Sequence, residues 1–218
     1  MNILAVGSQS EFNELKEKLG ASHELQHISS ADMIEDFDGV DLVFDFNIAD
    51  QPEDLEVYTQ QEGLSVFINA PKISLAELAF YQNEIDCKLY GFNGLPTFIN
   101  REILEVSSLN DDEGLKQLCE QLGTDYEIVK DRVGMVTPRV IFMIINEAFY
   151  TVQEGTASKE DIDKGMKLGT NYPFGPFEWA DRIGLNHVYE TLEAIYEDTK
   201  EERYKICPLL KREYLLLN

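Results

Sequence analysis

Residues 132–184 read RVGMVTPRVIFMIINEAFYTVQEGTASKEDIDKGMKLGTNYPFGPFEWADRIG. The run from Val136 to Phe149 is apolar on every side, the pattern of a buried helix rather than a surface one. Arg139, Asn146 and Glu147 interrupt it and leave it too short to span a bilayer. Ser158 has the position of an N-cap, with Asp161 three residues on as its partner, and predicts a helix ending near Gly169. Tyr172 to Phe177 (YPFGPF) makes two turns. Pro176 suits the first turn of a further helix, anchored by Phe177, Trp179, Ala180 and Ile183.

The chain before this stretch follows another rhythm. Asn2 to Val6 is a short apolar run ending at Gly7, and Phe12, Leu15 and Leu19 then fall at helical spacing up to Gly20. Strand, turn and helix in this order begin a dinucleotide-binding fold. Further strands are expected at 24–28, 41–46, 64–68, 88–92, 102–107 and 126–129. Helices are expected at 53–61, 74–81 and 111–122. Such alternation argues for a mostly parallel sheet with crossover helices.

Eighteen Lys and Arg face forty-one Asp and Glu, a formal charge of −23. Nucleic acid and anionic membranes both require a basic footprint, so neither is an expected partner. CoA and NAD are polyanions as well and would need a local basic pocket, for which Lys72, Arg101, Arg132 and Arg139 are the candidates. Cys87, Cys119 and Cys207 are widely spaced, with no CxxC, and read as free thiols in a reducing compartment. No metal-ligand spacing occurs. The opening residues MNILAVGSQS enter a strand at once, without a basic leader segment. The expected location is the cytoplasm.

The 132–184 stretch resembles the C-terminal domain of the 3-hydroxyacyl-CoA dehydrogenases. The matching letters are Arg139, Asn146 to Ala148, Glu160 to Asp163, Met166 to Gly169, Tyr172-Pro173, Gly175-Pro176, Glu178, Ala180-Asp181 and Ile183 to Leu185. The resemblance implies an α/β then all-α architecture. A short Rossmann-like parallel-sheet domain over 1–130 precedes a helical dimerisation domain over 131–218, similar to the C-terminal domain of 6-phosphogluconate dehydrogenase. It also implies NAD-dependent oxidation of 3-hydroxyacyl-CoA to 3-oxoacyl-CoA, a homodimer formed through the helices, and a cleft for an acyl-CoA-like ligand.

The residues that carry this chemistry in the family are altered. Its GxGxxG phosphate turn matches Gly7 to Phe12 (GSQSEF), where only the first glycine stands. Gly7 and Ser8 are the residues left for cofactor contact. Gln9 is expected where the pyrophosphate would lie, Phe12 to crowd the helix, and Glu11 to compete with an anion at the helix N-terminus. No carboxylate stands at the end of the second strand to hold a ribose. His27 to Ser30 occupy that place.

The family's His and Glu, general acid/base and orienting partner, fall on Asn93 and Glu105. An amide does not exchange protons near neutral pH. A substrate-binding serine falls within Asn69 to Ile73 (NAPKI), and a substrate-binding asparagine on Pro138. A helical hairpin that helps to hold CoA has no room between Ser29 and Asp41. The expected function is therefore a family member with impaired or absent catalysis. A dimeric scaffold or small-molecule-binding protein and a weak oxidoreductase with an altered substrate stand beside it.

Overall fold

The computed structural model describes residues 1–217, which form two compact units, Met1–Met135 and the helices that follow Met135. The first unit holds β1 (Asn2–Val6), α1 (Gln9–Leu19), β2 (Glu24–Ile28), β3 (Leu42–Asp45), α2 (Glu56–Thr59), β4 (Ser65–Asn69), α3 (Leu75–Phe80), β5 (Lys88–Phe92), β6 (Ile103–Ser108), α4 (Asp112–Leu122) and β7 (Asp125–Ile128). The sheet order is β2-β1-β3-β4-β5-β6-β7. All pairs are parallel except β5 with β6.

The central strands are buried on both faces, which is why β3 and β4 read as continuous apolar runs rather than alternating ones. Phe44 stacks on Phe67 at 4.9 Å, and Phe92 meets Phe44 edge-on at 5.1 Å. Each such ring, removed from water, contributes roughly 1.5–3 kcal/mol. Leu15 and Leu19 of α1 and Leu115 and Leu122 of α4 close this side of the sheet. Leu55, Tyr58, Leu75 and Leu78 cover the other.

One expected helix is much reduced. Over 53–61 the chain forms a 3-10 turn, Pro52–Leu55, and then the single short helix α2. Thr59 hydroxyl donates back to the Glu56 carbonyl at 3.1 Å, a local bond that competes with helix propagation. The first unit also extends past residue 130, the end expected from sequence. Gly134 N–H donates to Pro71 O at 2.7 Å. The Asp131 carboxylate accepts the N–H groups of Leu75 and Ala76, capping α3.

The second unit contains α5 (Thr137–Gln153), α6 (Lys159–Thr170), α7 (Pro176–Ile183), α8 (Leu185–Thr199) and α9 (Pro208–Leu215). Pro138 lies in the first turn of α5, where a missing N–H and a fixed φ are tolerated, so it starts the helix without kinking it. The expectation that α5 is buried all round does not hold. Ile141, Phe142, Ile145, Ala148 and Phe149 are buried, but Val140 is 57% exposed. Asn146, polar among these residues, donates to Lys205 O and accepts from Cys207 N–H, tying the segment before α9 to α5.

The dense motif over 158–178 is a capping network. Ser158 accepts Asp161 N–H as the N-cap of α6. Asp163, one turn on, accepts the N–H groups of Phe177 (2.8 Å) and Glu178 (3.2 Å) at the start of α7. Glu178 returns to Gly175 N–H at 3.0 Å and pairs with Lys167. A Cβ at Gly175 would overlap the Asp163 carboxylate, so the close approach requires glycine. Asp163 and Lys167 are four apart and share one face of α6, so one helix face supplies both contacts.

Candidate functional site

The chain leaves β1 for β2 on one side, and β3 then pairs on the other side of β1. In open parallel sheets the crevice at such a reversal, outside the carboxyl ends of the strands, is where ligands bind. Gly7 and Phe46 flank this point, Phe46 N–H donating to Val6 O at 2.9 Å. Asp45, Asn69 and Asn93 continue the same edge along β3, β4 and β5.

At the β1–α1 turn the helix caps itself. Ser8 Oγ accepts Glu11 N–H at 3.3 Å, and Glu11 Oε2 accepts Ser8 N–H at 2.7 Å. A reciprocal box of this kind satisfies two of the donors that a phosphate would otherwise use. The Glu11 oxygen lies 2.7 Å from where a Cβ on Gly7 would sit, and Phe46 Cβ lies 2.9 Å from it. Gly7 is therefore required by close approach, and the approaching group is a carboxylate of the chain itself.

The residue expected to occupy the pyrophosphate position does not do so. Gln9 turns along the helix, its amide donating to Asn13 at 3.0 Å. Phe12 instead stacks on the His27 ring at 4.9 Å. His27 Nε2 lies 2.8 Å from Gly7 O and, as an N–H, donates to it. The end of β2, where a ribose-binding acid would stand in a nucleotide-binding relative, is thus taken up by a ring pair bound to the β1 turn.

The structure brings Asn93 and Glu105 together. Asn93 N–H donates to Glu105 O at 3.0 Å, and Asn93 Nδ2 lies 3.3 Å from Glu105 Oε2. Asn93 is 2% exposed. Asn69, absent from the sequence-derived site, joins them: its Oδ1 accepts Gly94 N–H at 2.9 Å. Glu105 also has a cation within electrostatic reach. Burial lowers the Arg101 pKa, and the Glu105 charge opposes that shift. Arg139 bonds Tyr204 OH at 3.0 Å and approaches Asp198 at 3.8 Å within the helical unit.

Asp45 went unnoticed in the sequence. It is fully buried at the carboxyl end of β3 and accepts Tyr58 OH at 2.6 Å and the N–H groups of Asn47 (2.7 Å) and Ile48 (3.2 Å). Burial pushes its pKa up to about 6, and the three hydrogen bonds pull against that rise without cancelling it. An acid closing the apolar run DLVF was the available signal. Among the described residues, no group of three or more His, Cys, Asp or Glu is placed to hold a metal ion. No helix there is long and apolar enough to cross a membrane.

The chain thus has a Rossmann-like, mostly parallel sheet in its first unit and a helical second unit held by the Asp163 network. Residues 134–215 match the family described as 3-hydroxyacyl-CoA dehydrogenase, C-terminal domain. The chain is 32% identical over 148 residues to a probable 3-hydroxybutyryl-CoA dehydrogenase of Bacillus subtilis, covering 66% of this chain and 52% of that protein. It is 36% identical over 116 residues to the 3-hydroxyadipyl-CoA dehydrogenase of Escherichia coli, covering 52% of this chain and 24% of that one. The matches therefore span about half or less of these two relatives. Among solved structures, FadB2 of M. tuberculosis superposes with a TM-score of 0.77 at 18% identity, over 98% of this chain and 93% of that one. The (S)-3-hydroxybutyryl-CoA dehydrogenase PaaH1 of Ralstonia eutropha gives 0.72 at 22% identity, over 99% and 93%. At these identities the likeness is one of fold. Over residues 134–215 the chain carries the C-terminal domain of the 3-hydroxyacyl-CoA dehydrogenases, and over a longer stretch it is similar to proteins of that name.

Proposed function

We propose that this chain is a member of its family in which hydride transfer is absent or much weakened, and which keeps a binding role toward an acyl-CoA-like ligand. The observation that carries this reading is Asn93, buried against Glu105 where the family places a histidine. Its amide donates a hydrogen bond to a carbonyl or hydroxyl but neither gives nor takes a proton near neutral pH. General acid–base catalysis contributes roughly 10²–10⁴-fold, and that factor is removed.

NAD, the family's cofactor, fits the β1–α1 turn poorly. Glu11 bonds Ser8 N–H where a pyrophosphate would, and His27 with Phe12 fills the end of β2. Weak or absent NAD binding follows. A steady-state assay with acetoacetyl-CoA and NADH tests the reading, together with calorimetry for NAD. Turnover of roughly one per second or more would overturn it.

The second part of the reading is a homodimer formed through the helical unit. An apolar groove of about 650 Å³ runs along the open side of α5, where Val140, Met143 and Ile144 face Ile162 and Met166 of α6. An exposed apolar stripe of this kind suits an isologous contact with a second copy. Light scattering at micromolar concentration checks it, and a monomer there would count against it. The cytoplasm is the compartment we propose, on the strength of three buried free thiols.

A further inference from the structure

Three basic residues of the first unit gather away from the candidate edge. The unit has eight Lys and Arg in all. Several are spent locally: Lys72 pairs with Asp50 at 2.6 Å, Lys18 binds the carbonyls of Arg101 and Glu102, and Arg101 lies over the Phe98 ring at 4.0 Å. Lys116, Lys130 and Arg132 line one cavity of about 720 Å³, bounded by α4, the end of β6 and the segment after β7. Because β6 runs opposite to β5, its carboxyl end points away from the edge that holds Gly7 and Asn93.

The acids in this cavity are already engaged. Asp131 uses both oxygens on the N–H groups of Leu75 and Ala76. Asp112 accepts the Ser108 hydroxyl at 2.5 Å and lies in the first turn of α4, where the helix dipole offsets its charge. The ammonium groups are less committed. Lys116 reaches Glu113 only at 3.8 Å and on the surface, and the Lys130 side chain makes no hydrogen bond or ion pair among the described residues. Ile128 and Leu109 give the cavity an apolar wall. Its volume is that of a small-molecule site. At physiological salt the Debye length is about 8 Å, so these nearby cations govern an anion here more than the charge of the distant surface does.

We propose that this cavity binds a phosphorylated small molecule, its phosphate between Lys116, Lys130 and Arg132 and its apolar part against Ile128 and Leu109. The proposal stands apart from the reading of the Asn93 edge, since it uses none of those residues. Calorimetric titration of the full chain with inorganic pyrophosphate, ADP and adenosine tests it, with the Lys116→Glu/Lys130→Glu variant alongside. Both side chains are exposed, so an unchanged melting temperature will show that the variant is folded. Pyrophosphate and ADP are expected to bind with Kd on the order of 1 mM or below, ADP the tighter, and adenosine not to bind. The variant is expected to lose about tenfold or more, which is about 1.4 kcal/mol. ADP binding that survives in the variant overturns the site, as does the lack of any heat from pyrophosphate or ADP. Equal affinity for the two overturns the role given to the apolar wall.

Discussion

The two units treat their inherited motifs in opposite ways. In the helical unit the family letters Asp163, Lys167, Gly175 and Glu178 stand, and each has its partner: a backbone cap, an ion pair or a close approach. At the β1–β5 edge of the sheet the fold is kept, while Glu11, Phe12, His27 and Asn93 are engaged by other groups of the chain. The difference separates two reasons for a residue to be where it is. Asp163 serves the fold and would be needed whatever the protein does. The sheet edge needs only hydrogen-bonded, space-filling residues to keep its geometry, and it has them.

The largest expected effect tests that separation directly. Asn93→His, with Glu105 in place, is expected to raise the residual reduction of acetoacetyl-CoA at saturating NADH by about 10²-fold. An unchanged rate would contradict the role proposed for Asn93. Next in size is a pH effect at Asp45. Its folded pKa of about 6 lies above the usual carboxylate value of 3.8, so the folded chain holds its proton longer than the unfolded one. Stability from this group is full below about pH 4, falls as pH rises through 6 and is flat above, by up to about 3 kcal/mol. Urea unfolding of wild type and Asp45→Asn from pH 4 to 7 isolates the term. Parallel curves would contradict it.

In the helical unit, Asp163→Ala strips two N–H groups of α7 of their acceptor and is expected to lower unfolding free energy by about 1–2 kcal/mol. A neutral result would show that the motif is not a fold determinant. The smallest effect sharpens the contrast most. Glu11→Ala removes the reciprocal cap, lowering stability by about 0.5–1 kcal/mol, and also removes a carboxylate from the place of a phosphate. NADH affinity is then expected to rise three- to tenfold, read by calorimetry. Loss of stability without gain in affinity would contradict the role proposed for Glu11 against the cofactor.

Most strands were legible because they are apolar runs bounded by turn residues, and β2, which is less apolar, still falls at Glu24–Ile28 as expected. The pair Asn93 and Glu105 was legible through resemblance alone, since nothing in their own residue types marks them. What escaped depended on partners distant in sequence or on local choices between competing bonds. Asp45 is held by Tyr58, thirteen residues on, and by loop N–H groups. Gln9 faces along α1 because Asn13 is one turn away. Lys116, Lys130 and Arg132 meet only once β6, α4 and β7 are assembled.

Helix α6 contains no fully buried residue. It is fastened by polar links, Lys159 to Glu213, Asp163 to the start of α7 and Lys167 to Glu178, rather than by a hydrophobic face sunk into a core. Such a helix can lift away while its neighbours stay packed. Its amides should exchange with deuterated solvent well before those of α5 or α8, through a local opening that added salt makes easier.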